Sequence, residues 1–369
     1  MVEHALIAAQ LAAIVDDPTV ADRLTVTGPD DVLPSLYRVT TVATTAVAAA
    51  TVGAGRLLAA RNDGGEAEIE VDTRHACAAF RSERYLRADG RPLPSPWDPI
   101  SGYYRAGDGR WVQLHCTFPH HRNGVLELLD VPNEREAVER AIGRYEAAAL
   151  EHEFQAMGLC ATMARTEQEW REHRQGAALA DLPLLEIERI GEAAPLSLEP
   201  AELPAAGIRV LDLSRVIAGP VCTRILAAYG ADVLRVGAAH LPEARALVID
   251  TGFGKRNAFL NLRLAQDARR MRDLVASADV VVQAYRPGAL DRLGFGPEAL
   301  ARIRPGIVVV TISAYGRQGP WSGLRGFDSL VQTASGMALA AAEAGGAEAP
   351  VPLPAQVLDH TVAPATAVE

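Results

Sequence analysis

The sequence predicts an α/β protein built on a parallel sheet buried on both faces, with a second, smaller α+β region beside it. Three observations lead there. From residue 208 onward, short Val/Ile/Leu-rich runs alternate with helical patterns, and near-continuous apolar strands belong to sheets covered on both sides. The first half keeps other periods: a long Ala/Thr-rich helix, alternating strands and charged helices. The length of 369 residues suits two domains.

Taken in order, residues 1–17 read as an amphipathic helix. The stretch lacks a basic leading region and ends in Asp16-Asp17, so a signal peptide is not expected here. The apolar run over 41–60 is long enough to raise the question of a membrane. It is mostly Ala and Thr with Gly53 and Gly55, which partition weakly into lipid, so a buried core helix is expected. GEAEIEVD (65–72) alternates as a strand does. SGYYRAGDGRWVQLHC (101–116) predicts a hairpin, two alternating strands around Gly107-Asp108-Gly109. Residues 136–180 are charged and helical in pattern, and Thr166 with Glu169 makes a capping box. Prolines and small residues over 191–206 mark a linker.

Beyond it, residues 208–213, 232–237, 259–263, 279–285 and 306–316 read as strands. Helices are expected over 220–231, 266–278 and 297–305. In such sheets ligands lie beyond the carboxyl ends of the strands. Those ends carry Ser214 to Pro220, Gly237-Ala238, Tyr285 to Gly288, and Ser313 to Gly316. Residues 33–43 (LPSLYRVTTVA) faintly echo 353–363 (LPAQVLDHTVA).

Composition narrows the function. With 46 acidic and 36 basic residues the net charge is −10, which argues against a nucleic-acid or membrane-surface footprint. Cys77, Cys116, Cys160 and Cys222 form no CxxC, so no metal site is expected and reduced, buried thiols in a cytoplasmic protein are. Lys255 is the only lysine; every other basic residue is arginine. Walker A, GxGxxG, HExxH and GxSxG patterns are all absent.

Five segments carry the remaining chemistry. They are LDLSRVIAGPVCTRILAAYGADVLRV (211–236), Gly254 to Asn257, the stretch 278–321, Gly326-Phe327-Asp328, and Asp359-His360. In this order and spacing they closely resemble the family III CoA-transferases, the CaiB/BaiF group, which includes formyl-CoA transferases and α-methylacyl-CoA racemases. The resemblance runs continuously over about 206–369. It implies a Rossmann-like large domain that binds coenzyme A, a smaller domain, and an interlaced homodimer. It also implies acyl-CoA and carboxylic acid substrates, no metal, and a catalytic aspartate, which falls on Asp359. A carboxylate suits the chemistry, because it attacks a thioester to give a mixed anhydride and then an aspartyl-CoA thioester. The residue pattern alone also allows Asp359 to be a plain helix cap.

The resemblance places Arg215, Val216 and Ala218 in a loop touching coenzyme A, and Tyr285 beside its adenine or pantetheine arm. It places Arg292 near the phosphates and makes Lys255 and Arg256 a basic pair. Solvated helix or strand ends remain the plain reading of Arg292 and Arg256. The chain departs from the family's pattern at Gly237-Ala238, where an acidic and a basic position are lost, and at Ala284. Phe327 stands where the racemase branch has a histidine.

Chain order departs further. Residues 1–190 resemble the back part of a family subunit, 191–206 a linker, and 207–369 the coenzyme-A-binding front part. A tandem fusion and a permuted arrangement both fit, as do three functions: a CoA-transferase, an inactive CoA-binding subunit, and an acyl-CoA racemase using an acid–base pair at Asp359-His360.

Overall fold

The computed structural model describes residues 2–65, 67–95 and 97–367. Helix α1 (Val2–Ile14) buries Ile7 and Leu11, four residues apart on one stripe, against α2 (Val39–Arg61). Strand β1 (Leu24–Thr27) pairs in parallel with β2 (Ile69–Asp72). The Asp72 carboxylate then caps α3 (Thr73–Ala79), accepting the N–H groups of Arg74 and His75 at 2.8 and 3.2 Å. The short helix α4 (Ser82–Tyr85) follows, then a small ribbon of β3 (Arg87–Ala88) and β4 (Arg91–Pro92). Among the described residues α2 is the helix long and apolar enough to cross a membrane, but half of its most apolar stretch is buried inside the protein. Its threonines are absorbed locally: Thr44 and Thr51 each donate to the carbonyl four residues back.

Strands β5 (Gly102–Arg105) and β6 (Trp111–Leu114) form the expected hairpin, closed by the Ala106 N–H on the Arg110 carbonyl at 2.8 Å. Helices α5 (Pro119–Leu129), α6 (Arg135–Ile142) and α7 (Ala147–Ala156) pack on it. Strand β7 (Ala161–Met163) then joins β6 to complete an antiparallel sheet in the order β5-β6-β7. The helical reading of 136–180 misses β7. Three residues are too few to show a period, and burial on both faces removes any alternation. The capping box at Thr166 starts α8 (Glu167–Glu172), and α9 (Arg174–Leu179) follows.

The second half builds the parallel sheet. Its strands are β8 (Arg209–Leu213), β9 (Asp232–Gly237), β10 (Lys255–Phe259), β11 (Val280–Gln283) and β12 (Val308–Thr311). They lie in the order β10-β9-β8-β11-β12, all parallel. The order reverses direction between β8 and β11, the switch point of a doubly wound sheet. Helices α10 (Ala218–Ala228) and α11 (Arg245–Asp250) lie on one face, α12 (Ala265–Ala276) and α13 (Pro297–Ile303) on the other. The strand expected at 259–263 instead ends at Phe259, four residues earlier. The exposed, polar face of an edge strand hides its period. Helices α14 (Asp328–Ala334), α15 (Met337–Gly345) and α16 (Val357–Ala367) close the described chain.

The two halves share their packing. Leu353, Ala355 and Val357 belong to the core built by α1, α2 and α3. Helix α16 lies between α10 and α2. Polar ties reinforce the seam: Gln175 Nε2 donates to the Tyr315 and Gln318 carbonyls at 2.8 Å. The Arg61 guanidinium donates to the carbonyls of Leu203 and Ala206 at 2.7 and 2.8 Å, anchoring the far end of the extended linker.

Candidate active site

The carboxyl ends of the parallel strands open into a cavity of about 680 Å³. Arg215 and Val216 follow β8, Gly237 and Ala238 close β9, and Leu260 to Arg263 follow β10. Tyr285 and Arg286 follow β11, and Ile312 to Tyr315 follow β12; all line the cavity. The rim after β8 is fixed from beneath. Asp212, fully buried, accepts the Ser214 N–H at 2.9 Å, the Thr223 hydroxyl at 2.6 Å and the Lys255 ammonium at 2.9 Å. Val216 is thereby held at φ +74°, a left-handed conformation costly for a β-branched residue. The turn brings Ser214 against the first turn of α10, where a Cβ on Gly219 would lie 2.2 Å from that of Ser214. Only glycine permits this approach. The uncapped start of α10, at Ile217 and Ala218, therefore borders the cavity, and an uncapped helix start favours an anion.

Arg215, Val216, Ala218, Tyr285 and Arg292 all line the cavity, together in one place. Lys255 and Arg256 do not, contrary to the basic pair for coenzyme A that the resemblance implies. Lys255 points inward: its side chain is wholly buried, and its ammonium also donates to the Pro220 carbonyl and the Thr223 hydroxyl at 2.7 and 2.6 Å. Burial pulls its pKa down, while Asp212 pushes back. Arg256 points to solvent on the edge strand and pairs with Asp232. Both corrections follow from the register: strand alternation sends Lys255 to one face and Arg256 to the other, before the strand reaches the cleft.

The basic residues that do reach the cavity include Arg286, which lies in the expected strand-end segment 285–288, and Arg263 and Arg325, which no expectation named. Arg263 lies four residues past the true end of β10, so a correct strand end is the signal that finds it. Burial, then repulsion from Arg325 and Arg292, lowers the pKa of Arg286. The cleft thus holds like charges close together, a setting that favours an anionic ligand. The acidic position lost at Gly237 is refilled in space: Glu243, paired with Arg235, places a carboxylate oxygen 3.2 Å from where a Gly237 Cβ would sit.

Asp359 lies on the wall of this cavity together with Asp328. It is not the cap of its helix but sits inside the first turn of α16. The capping is done by Asp328 at the start of α14, whose Oδ2 accepts the Asp359 N–H at 3.0 Å. Gln332 holds the other Asp328 oxygen, and its own oxygen accepts the Leu353 N–H at 2.8 Å, binding the segment that leads into α16. Burial raises the Asp328 pKa to about 7, although the N–H of Asp359 and the Gln332 amide pull the other way. Asp359 is raised well above the usual carboxylate range, first by burial, then by the charges of Asp328 and Glu83. Glu83 arrives from α4 and meets the buried His360, Oε2 to Nε2, at 3.4 Å.

The first half supplies the opposite wall. Phe118, His120 and His121, at the start of α5, line the cavity. Phe327 stacks on His115 at 3.7 Å between ring centres, closing the position where the racemase branch has a histidine. Burial holds both His115 and His121 down to about 3; for His121 the positive charges of His120, Arg325 and Arg215 add to it. Both rings are neutral at physiological pH. Among the described residues no cluster of three or more His, Cys, Asp or Glu is arranged to hold a metal ion.

Residues 205–369 match the model of CoA-transferase family III. An acetyl-coenzyme A transferase of Hypoxylon pulicicidum is 32% identical over 283 residues, covering 68% of this chain and 46% of that protein. The β subunit of a succinyl-CoA–L-malate CoA-transferase of Chloroflexus aurantiacus is 36% identical over 148 residues, covering 37% of this chain and 36% of that protein. A hypothetical protein of Mycobacterium tuberculosis with a solved structure is 32% identical and superposes with a TM-score of 0.41, over 45% of this chain and 47% of the other. The chain spans less than half the length of these relatives.

Proposed function

Residues 205–369 of this chain belong to CoA-transferase family III, and on that premise we propose that the cleft above the parallel sheet takes an acyl-CoA and transfers its CoA to a carboxylic acid through Asp359. One observation carries the reading: Asp359 stands on the wall of the cavity that the strand ends and the arginines build. Coenzyme A needs cations for its phosphates, an amphipathic channel for its pantetheine arm and a nucleophile at the thioester. Arg263, Arg286, Arg292 and the start of α10 suit the first, the apolar strand-end residues the second, and Asp359 the third.

In this reading a carboxylate oxygen of Asp359 attacks the thioester carbonyl. The C–S bond breaks, CoA leaves as a thiolate, and a mixed anhydride remains on Asp359. The thiolate attacks the aspartyl carbonyl and expels the donor acid, leaving an aspartyl-CoA thioester. The acceptor carboxylate displaces the thiolate, which then attacks the new acyl carbonyl, releasing acyl-CoA and restoring Asp359. Each step starts from an anion, so Asp359 must ionise against its surroundings. The N–H groups at the uncapped start of α10 are the donors offered to the developing oxyanions. Phe327 weighs against racemisation, because a ring that cannot take a proton replaces one member of an acid–base pair.

The reading extends to a cytoplasmic homodimer and to the two halves as complementary parts of one family subunit plan. The shared core of α2, α3 and the approach to α16 supports the last of these. The test is incubation of the whole chain with an acyl-CoA and a labelled carboxylic acid. New labelled acyl-CoA, abolished by Asp359→Ala, is the expected result. Cα deuterium exchange without transfer would favour a racemase, and CoA binding with neither reaction an inactive subunit.

A further inference from the structure

Helix α4 belongs to the half of the chain outside the family match, yet its Glu83 stands directly behind the residue that follows Asp359. We propose that Glu83 and His360 form a charge-balancing pair behind Asp359, so that the N-terminal half supplies a positioning residue to the site. The role assigned to the pair rests on Asp359 being the nucleophile; the pairing itself does not.

Four observations converge on it. His360 is 2% exposed, and its Nε2 lies 3.4 Å from Glu83 Oε2. Its ring stacks on Phe80 at 5.4 Å, which fixes its plane. Neither His360 Nε2 nor Glu83 Oε2 makes a well-directed hydrogen bond elsewhere, so each is buried with only the other to answer it. Finally, α4 is clamped in place: Ser82 donates to Asp250 Oδ2 at 2.8 Å, and Arg224 spans both, at 3.1 Å to Ser82 and 2.9 Å to Asp250. A four-residue helix held this firmly fixes where Glu83 can reach.

The charges around α16 make the pair consequential. From α14 comes Asp328, and from α4 comes Glu83, with Arg84 at 3.5 Å from its other oxygen. Arg224 on α10 is committed to Asp250. The charged residues of α2 are Arg56 and Arg61, tied to Asp17 and to linker carbonyls at the far end of the helix. Asp359 therefore faces two other carboxylates, and His360 is the group placed to balance one of them. Without His360, Glu83 keeps only the solvent-exposed Arg84 beside it, and its charge penalises a second one on Asp359 more strongly. Removing Glu83 together with His360 takes that anion away.

A double-mutant cycle on the whole chain decides this. The carboxyl titration of Asp359 is read by ¹³C NMR, the resonance being assigned by its loss in Asp359→Asn. His360→Asn raises the Asp359 midpoint by about one pH unit, and His360→Gln reproduces the shift if the first variant folds poorly. Glu83→Gln lowers it, since the Glu83 charge is one of those that raise Asp359. The double variant Glu83→Gln/His360→Asn returns toward wild type. An unmoved midpoint in both histidine variants overturns the proposal, and so does a double variant displaced as far as the single. The titration needs no turnover, so it stands apart from the function. Transfer surviving Asp359→Ala would overturn the nucleophile and leave the pair to be judged on its own cycle.

Discussion

The backbone N–H of Asp359 donates to Oδ2 of Asp328 across 3.0 Å, so a buried acid caps the helix that presents a half-buried one. The arrangement fixes where Asp359 points, and it places two like charges together in a buried site. The capping N–H eases the ionisation of Asp328 against its burial, while the Asp328 charge makes Asp359 harder to ionise.

This gives stability a definite pH dependence. Asp328 titrates near 7 when folded but near 3.8 unfolded. Between those values the folded state holds the extra proton, so its contribution is present at low pH and is lost as pH rises from about 4 to 7. His115 and His121 act oppositely: depressed to about 3, they favour the folded state above 6.5 and penalise it as pH falls. The Asp328 contribution is isolated by difference. Asp328→Asn keeps an acceptor for the cap and removes the titration, so its melting temperature falls less between pH 5 and pH 8 than that of wild type. Parallel curves for the two proteins would contradict the assignment.

The wholly buried Lys255–Asp212 pair predicts a stability phenotype, not a binding one. Lys255→Met leaves Asp212 as a buried anion short of one donor, at a cost of about 3 kcal/mol. Urea denaturation should show that loss while calorimetry finds CoA affinity within about twofold of wild type. Weakened CoA binding in a fully stable variant would return Lys255 to the phosphate site.

Arg292 and Arg256 separate cleft from surface. Arg292→Ala should weaken CoA binding about tenfold and flatten its salt dependence, as loss of a phosphate contact does. Arg256→Ala, which removes only a solvent-exposed pair with Asp232, should leave the affinity unchanged. Equal effects from the two would dissolve the distinction.

Val216 tests whether strain at the rim is functional. Glycine relieves a β-branched residue at φ +74°, so Val216→Gly should be stabilising by about 1 kcal/mol despite glycine's entropy cost. The same change frees the loop, and CoA affinity should fall. Lower stability together with unchanged affinity would show that the valine is merely tolerated.

Much of this site was legible in the sequence. The strand–helix alternation predicted the parallel sheet, the strand-end rule picked out the segments that hold Arg215, Val216, Ala218 and Tyr285, and the family resemblance alone added Arg292; all five line one cavity. The misplaced residues trace to a local cause. Reading β10 four residues late put Lys255 and Arg256 at a loop and hid Arg263, because an edge strand with polar residues on its open face shows no clear period. Asp328 lay in a motif that drew notice, but its capping of α16 is a contact across 31 residues, which no local pattern encodes. Glu83 reaches His360 from 277 positions away through the packing of one half on the other, and only the fold brings them together.

In the proposed function Asp359 carries the acyl group and then CoA. The most direct test is to incubate the whole chain with an acyl-CoA, quench, and map the adduct by peptide mass spectrometry. A hydroxylamine-labile CoA or acyl adduct is expected on the peptide containing Asp359, absent in Asp359→Asn, with turnover lost in that variant. Full transfer activity in Asp359→Asn, or an adduct on another residue, would contradict it.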